Sequence, residues 1–275
     1  MSAQILYGKP VAEQIKQTVL QETESLGRKL KIVTLGFLSN LEWGQYSSSL
    51  CKSAPSYNAV VENNYVSDDI TPDEFYRLLD GFSADDSIDG ILVQQPLPKP
   101  FRFAIDHINP AKDIDGLTAH NLQALFCAKE VLVPATPLAV VKILQYYGID
   151  VQGKNAVIVG RGIAVGKPLS LLLLNRNATV TVCHTKTIDI PSIARNADLL
   201  ISAVGKGGLI TCDYVNENSV VIDVGLSFEN GIASGDVHFD TVSQKCKAVS
   251  PVPGGVGPVT RACLFYNTLI ASKNK

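Results

Sequence analysis

Apolar and polar positions alternate along this chain with two different periods. Val11, Ile15, Val19 and Leu20 recur at helical spacing, which predicts a helix over Val11 to Leu26 that ends near Gly27. Lys31 to Leu38 reads as a strand, and Glu42 to Ala54 as a second helix stopped by Pro55. Thr71-Pro72-Asp73-Glu74 opens a third helix running towards Leu79. It has a threonine to cap, a proline in the first turn, and two acids on the positive end of the helix dipole. After Asp89-Gly90, Ile91-Leu92-Val93 is a short buried strand. Strands and helices alternating at this pitch predict βαβ units.

A second series begins after Pro134-Ala135-Thr136-Pro137. Leu138 to Tyr147 is a helix followed by Gly148, and Asn155 to Val159 is a strand. Gly160 to Gly166 is a turn, Lys167 to Asn175 a helix and Thr179 to Cys183 the next strand. Ala197 to Ala203 and Ser219 to Asp223 supply two more strands. The pattern is α/β throughout, with a doubly wound sheet in this second part. The domain boundary is expected between residues 120 and 137, dividing 1–120 from 121–259. A terminal helix over 260–275 is expected to return to the first domain. Between them, Ser250 to Thr260 holds three prolines and three glycines. This run is read as a rigid, non-helical loop against a flat partner, with a turn-rich connection as the alternative.

Composition narrows the function. The 275 residues are 46% hydrophobic and 18% charged, enough for one large or two ordinary domains with cores. A net charge of −2 implies no basic face for nucleic acid. The apolar run around Leu169 to Leu174 is far too short to span a bilayer. The first residues lack the pattern of a signal peptide, so a cytoplasmic location is expected. Six scattered cysteines without a C-x-x-C pair fit reduced thiols, and four histidines in no cluster predict no protein-bound metal.

Chemistry enters at the turn. Gly160, Gly162 and Gly166 follow a strand and open a helix, the setting in which such glycines have a mechanism. The first permits the tight turn, the second lets backbone N–H groups reach a pyrophosphate, and the helix N-terminus faces the anion. The last spacing is one residue longer than in G-x-G-x-x-G. The following strand ends in His184-Thr185-Lys186 with no carboxylate for a ribose hydroxyl, while Arg161 sits in the turn. A 2′-phosphate is attracted by a guanidinium and repelled by a carboxylate, which favours NADP, with NAD as the alternative.

Eight segments together resemble the methylenetetrahydrofolate dehydrogenase–cyclohydrolase (FolD) family over essentially the whole chain. They are Leu6 to Ala12, Gly90 to Pro98, Pro110 to Gly116, Val159 to Gly162, Ala178 to His184, the pair Ile222 to Gly225 and Gly235 to Val237, and the proline–glycine run. The resemblance implies an N-terminal α/β folate-binding domain, a Rossmann-like nucleotide domain, a folate cleft between them and a homodimer. It implies hydride transfer from 5,10-methylenetetrahydrofolate to the nicotinamide, and in bifunctional members hydrolysis of the methenyl product to 10-formyltetrahydrofolate. Asp115 matches the family aspartate that holds the pterin, where a carboxylate accepts two parallel hydrogen bonds. Gln94 matches the active-site glutamine, which can donate and accept, and Tyr46 the tyrosine lying along the folate. Pro253 and Gly254 would line the folate cleft. Gly160, Arg161, Gly162, Gly166, Thr185 and Leu226 map onto the cofactor site.

One departure stands out. The family pattern Y-x-x-x-K reads Tyr46-Ser47-Ser48-Ser49-Leu50, so the lysine position holds leucine. Positions 46 and 50 share a helix face, whereas Lys52 lies about 240° around from Tyr46. Hydride transfer needs mainly positioning, and an ammonium gives the cationic product no Coulombic help. Hydrolysis must orient water and shuttle a proton, which leucine cannot do. The expectation is a dehydrogenase with reduced cyclohydrolase activity. The alternatives are a bifunctional enzyme in which another group compensates, or a degenerate binder without catalysis. Phe37-Leu38, Trp43, Ala135 and Gly162 also depart from the family residues, and the first two of these changes surround the helix that carries Tyr46 and Leu50.

Overall fold

The computed structural model describes residues 3–229 and 232–274. Its strands are β1 (Gln4–Ile5), β2 (Leu30–Phe37), β3 (Ala59–Val66), β4 (Gly90–Val93), β5 (Asn155–Val159), β6 (Thr179–Cys183), β7 (Leu199–Ser202), β8 (Val220–Asp223), β9 (Ser227–Glu229), β10 (Ile232–Ser234) and β11 (Ala248–Val249). Its α-helices are α1 (Gly8–Leu26), α2 (Leu41–Ser53), α3 (Pro72–Ala84), α4 (Ala119–Phe126), α5 (Ala135–Tyr146), α6 (Gly166–Leu174), α7 (Ile190–Ala194), α8 (Phe239–Val242) and α9 (Val256–Lys273). They form two compact units, one of Met1–Glu13 with Thr136–Thr260, the other of Gln14–Ala135 with Arg261–Lys275. This differs from a first domain over 1–120. The first residues join the other unit because β1 pairs in parallel with β11, Gln4 opposite Ala248. A two-residue strand leaves no periodic signal to read.

The Gln14–Ala135 unit holds a parallel sheet in the order β3-β2-β4. Leu35, Phe37, Phe75, Leu79, Ile91, Val93 and Phe101 form its core, with the Phe37 ring stacked on Phe75 at 5.5 Å and edge-on to Phe101 at 4.9 Å. Helix α3 starts with a full capping box: Thr71 Oγ1 accepts from the Glu74 N–H, and Glu74 accepts from the Thr71 N–H. In α9, Asn267 donates to the Ile114 and Val133 carbonyls, both at 2.8 Å, and Phe265 stacks on Tyr57.

Asp89 closes the amino end of this sheet. Its side chain is fully buried and accepts from both terminal nitrogens of Arg28, at 2.6 and 2.7 Å, and from the Lys31 N–H at 2.9 Å. Truncating the arginine strands a buried carboxylate. Arg28→Ala should therefore lower the unfolding free energy by about 2 kcal/mol, below the fully buried case because the guanidinium is partly exposed. A urea titration showing a change within error would refute this.

The Thr136–Thr260 unit holds a six-stranded parallel sheet in the order β1-β11-β8-β7-β5-β6. Val157, Val159, Leu200, Val221 and Val249 pack one of its faces into a buried cluster. From β5 the chain moves outward to β6 and then crosses back to β7 on the other side, with Val159 opposite both Cys183 and Ser202. The carboxyl end of β5 is thus the topological switch point, where open α/β sheets place ligands. The proline–glycine run is a loop only as far as Gly255. From Val256 it is helix, because Pro258 falls in the first turn of α9, where its missing N–H is not needed.

Candidate functional site

Helix α2 carries Tyr46. Asn40 caps it, its Oδ1 accepting from the Trp43 N–H at 2.9 Å, and Ser47 Oγ meets the Tyr65 hydroxyl of β3 at 2.8 Å. The Trp43 indole lies against the backbone of β2, where a Cβ on Gly36 would stand 2.0 Å from Nε1. That nitrogen is buried without a hydrogen-bond partner among the described residues. Leu50, one turn beyond Tyr46, is wholly buried, and Lys52 is exposed.

Gln94 continues β4 and is buried. Its N–H donates to the Leu35 carbonyl at 2.9 Å, and its Oε1 accepts from the Phe37 N–H at 2.8 Å. This contact assigns the amide orientation. Its oxygen is engaged by the backbone, so Gln94 chiefly offers the donors on Nε2 to a ligand. Gln94, Phe37, Asn40, Glu42 and Pro96 line a concavity of about 610 Å³ at the carboxyl ends of β2 and β4.

The two aspartates of the Lys112-Asp113-Ile114-Asp115-Gly116 segment have separate work. Asp113 is buried and accepts from the Thr118 N–H at 2.7 Å and from Asn121 Nδ2 at 3.0 Å. Gly116 has φ +67°, and a Cβ there would lie 2.6 Å from the Pro134 nitrogen, so the turn requires glycine. Asp115 is left to project from it. Burial of its carboxyl, with the Asp113 charge adding, raises its pKa to about 8. Burial also pushes the Tyr46 hydroxyl well above its usual value, the Asp115 charge adding and the Arg261 charge opposing. Both side chains keep some open surface.

The structure thus brings together Tyr46, Asp115 and Arg261, the last not singled out from the sequence. The Nε of Arg261 is buried without a hydrogen-bond partner among the described residues. A signal existed: Arg261 is the single charge in the apolar stretch Val259 to Phe265, where its neighbours Val259, Ala262, Cys263, Leu264 and Phe265 are all buried. Pro253 and Gly254 belong to the other unit, where the Gly254 carbonyl accepts from the Gly8 N–H at 2.8 Å.

In that unit the turn after β5 is shaped by its glycines. A Cβ on Gly160 (φ +122°) would lie 2.3 Å from the Ala203 carbonyl oxygen, and one on Gly166 2.1 Å from the Gly160 oxygen. Gly162 instead faces open space, which suits approach by a ligand. Helix α6 starts without a side-chain cap; of its first residues, Lys167 donates its N–H to the Gly162 carbonyl at 3.1 Å and Pro168 has no N–H, which leaves the Gly166 N–H for another acceptor. Arg161, Thr185, Lys186 and Leu226 are exposed. Lys186 N–H donates to His184 Nδ1 at 3.1 Å, folding the end of β6 back beside the turn. The residues present therefore fit a dinucleotide. Among the described residues no group of three or more His, Cys, Asp or Glu could hold a metal ion, and no helix is long and apolar enough to cross a membrane.

A parallel sheet with a glycine turn and an uncapped helix at its switch point, joined in one chain to a second α/β unit bearing buried polar groups, defines a dinucleotide-binding enzyme of two units. The chain belongs to the tetrahydrofolate dehydrogenase/cyclohydrolase family: residues 6–115 match its catalytic domain and residues 134–275 its NAD(P)-binding domain. The "Bifunctional protein FolD" of Staphylococcus haemolyticus (strain JCSC1435) is 40% identical over 281 residues, covering 99% of this chain and 98% of that one. Among solved structures, the bifunctional FolD of Campylobacter jejuni superposes with a TM-score of 0.94 at 37% identity, covering 99% of both chains. The Trypanosoma brucei enzyme, complexed with NADP cofactor and inhibitor, gives 0.91 at 32% identity, covering 100% of this chain and 98% of that one.

Proposed function

We propose that this chain oxidises 5,10-methylenetetrahydrofolate to the 5,10-methenyl cation with NADP, and that it hydrolyses the methenyl product poorly. The nicotinamide, when bound, accepts the hydride that leaves the methylene carbon. The chain's own residues bind and orient. Asp115 takes the pterin's amino and ring N–H groups, Gln94 donates from Nε2 near the reacting carbon, and Tyr46 stays protonated and borders the folate. Pro253 and Gly254 are proposed to line the substrate side. Gly160, Gly162 and Gly166 are proposed to admit the pyrophosphate, with Thr185 and Leu226 beside it.

Leu50 carries the second half of the reading. It is wholly buried on the face of α2 that Tyr46 shares, and Lys52 is exposed. Tyr46 stays protonated, and Leu50 offers no polar atom beside it to pass a proton to or from water. A second reading, full bifunctionality, is favoured by the relatives' names and by Arg261, which places a charge near Tyr46 from α9. A guanidinium can orient water but does not give up its proton. Mixing purified protein with methenyltetrahydrofolate alone separates the two readings: hydrolysis well above that in buffer would favour the second.

NADP is preferred on the strength of Arg161, exposed in the turn, and of a β6 end without a carboxylate. The NADP complex of the T. brucei relative agrees with this. Arg161→Ala should raise KM for NADP about tenfold and leave KM for NAD nearly unchanged. Equal losses with both cofactors would remove Arg161 from 2′-phosphate recognition.

A further inference from the structure

Two carboxylates are buried at the carboxyl edge of the six-stranded sheet, Asp223 at the end of β8 and Asp236 just after β10, 2% and 0% exposed. Each is packed against a glycine of the other's segment. A Cβ on Gly225 would lie 2.0 Å from Asp236 Oδ1, and one on Gly235 2.1 Å from Asp223 Oδ2. Asp236 Oδ2 accepts from Ser202 Oγ and from the Val204 N–H, both at 2.8 Å, and Oδ1 from the Lys206 N–H at 2.7 Å. Asp223 Oδ1 accepts from the N–H groups of Gly225 and Asp236, both at 3.1 Å, and Oδ2 from Val237 at 2.9 Å. The pair therefore fixes three segments: the exit loop of β7, the exit loop of β8, and the stretch after β10.

Negative charge at this edge gives an anionic ligand no attraction, and these oxygens are already engaged by protein donors. Their effect is geometric. The β7 exit loop is the surface on which the nucleotide turn rests, since Gly160 packs against the Ala203 carbonyl. The β8 exit loop carries Leu226, 56% exposed, next to Gly205, whose Cβ position is 3.9 Å from the Leu226 carbonyl. Val204, 38% exposed, stands on the same rim.

We propose that Asp236, held in turn by Asp223, is a positioning residue for dinucleotide binding: it sets the β7 exit loop under Gly160 and beside Leu226. The proposal rests on the reading of the Gly160–Gly166 turn as the dinucleotide seat. An amide in place of the carboxylate, turned either way, sets a donor against a backbone N–H, that of Val204 or of Lys206, which pushes that loop away without changing side-chain size.

The test is steady-state kinetics on the full chain with NADP and methylenetetrahydrofolate varied in turn, beside thermal melts. Asp236→Asn should raise KM for NADP about tenfold or more, with kcat at saturation and KM for the folate within about threefold of the parent. Ser202→Ala removes one donor and keeps both backbone donors. It should fold normally and raise KM for NADP about threefold, which keeps the proposal testable if Asp236→Asn does not fold. An unchanged KM for NADP in Ser202→Ala, or in a folded Asp236→Asn, overturns the proposal, as does an equal rise for both substrates. If the parent protein itself neither binds NADP nor NAD in a titration, the reading of the turn fails and the proposal falls with it.

Discussion

Supplied with methylenetetrahydrofolate and NADP, the enzyme should accumulate the methenyl cation rather than pass it on to 10-formyltetrahydrofolate. The expectation follows from what each half-reaction asks of the protein. Oxidation needs the folate and the nicotinamide held in register, and such positioning alone can supply about 7 kcal/mol or more. Hydrolysis needs a group that takes a proton from the attacking water, worth about 10²- to 10⁴-fold in rate. Tyr46 cannot be that base, because burial and the Asp115 charge keep its hydroxyl protonated far above neutrality. Leu50 offers no polar atom, and Lys52 faces solvent. Measured with methenyltetrahydrofolate as the sole substrate, hydrolysis should lie within a few-fold of the buffer rate. Leu50→Lys should raise it at least tenfold, the long stem keeping to apolar surroundings while the amine reaches towards Tyr46. Rapid hydrolysis by the parent protein would defeat the reading. Arg261→Met would then show whether the base on α9 has taken over the orientation of water.

Legibility from sequence tracked how local each cause is. Helix α3 could be read because its cap, proline and acids are adjacent, and the capping box forms as those residues predict. Strand β3 could not. It is an edge strand whose middle, Glu62-Asn63-Asn64, is polar, and its Asn63 Oδ1 accepts from Thr34 of β2 at 2.9 Å, a partner 29 residues away. The candidate site divides in the same way. The glycines of the nucleotide turn were visible because a tight turn after a strand is a local constraint, and the clashes at Gly160 and Gly166 give its physical origin. Gln94 and Asp115 are marked in the sequence by resemblance alone. What their side chains present is set by the fold: the Phe37 N–H orients the Gln94 amide, and burial, with the Asp113 charge adding, raises the Asp115 carboxyl. The relation of Arg261 to Tyr46 spans 215 positions of chain, which no spacing rule covers.

Asp115 sets the largest expected loss of substrate binding and a pH dependence with a definite sign. Its pKa of about 8 means that the free protein holds a proton there at neutral pH, whereas the unfolded chain, near 3.8, does not. Between these values the folded state binds the extra proton, so this residue's contribution to stability falls as pH rises from about 4 to about 8 and then levels. A pterin that donates two hydrogen bonds needs the ionised form, so binding reverses the preference and expels the proton. Affinity for tetrahydrofolate should accordingly rise about tenfold per pH unit up to about 8 and flatten above it. Calorimetry at pH 7 in two buffers of different ionisation enthalpy should count close to one proton released. Asp115→Asn presents an amide donor where two acceptors are required. It should weaken binding about 100-fold, as expected for losing charge-assisted hydrogen bonds, and flatten the pH profile. A parent affinity that is constant from pH 6 to 8, or an Asp115→Asn variant that binds as the parent does, would place the pterin's anchor elsewhere in the chain.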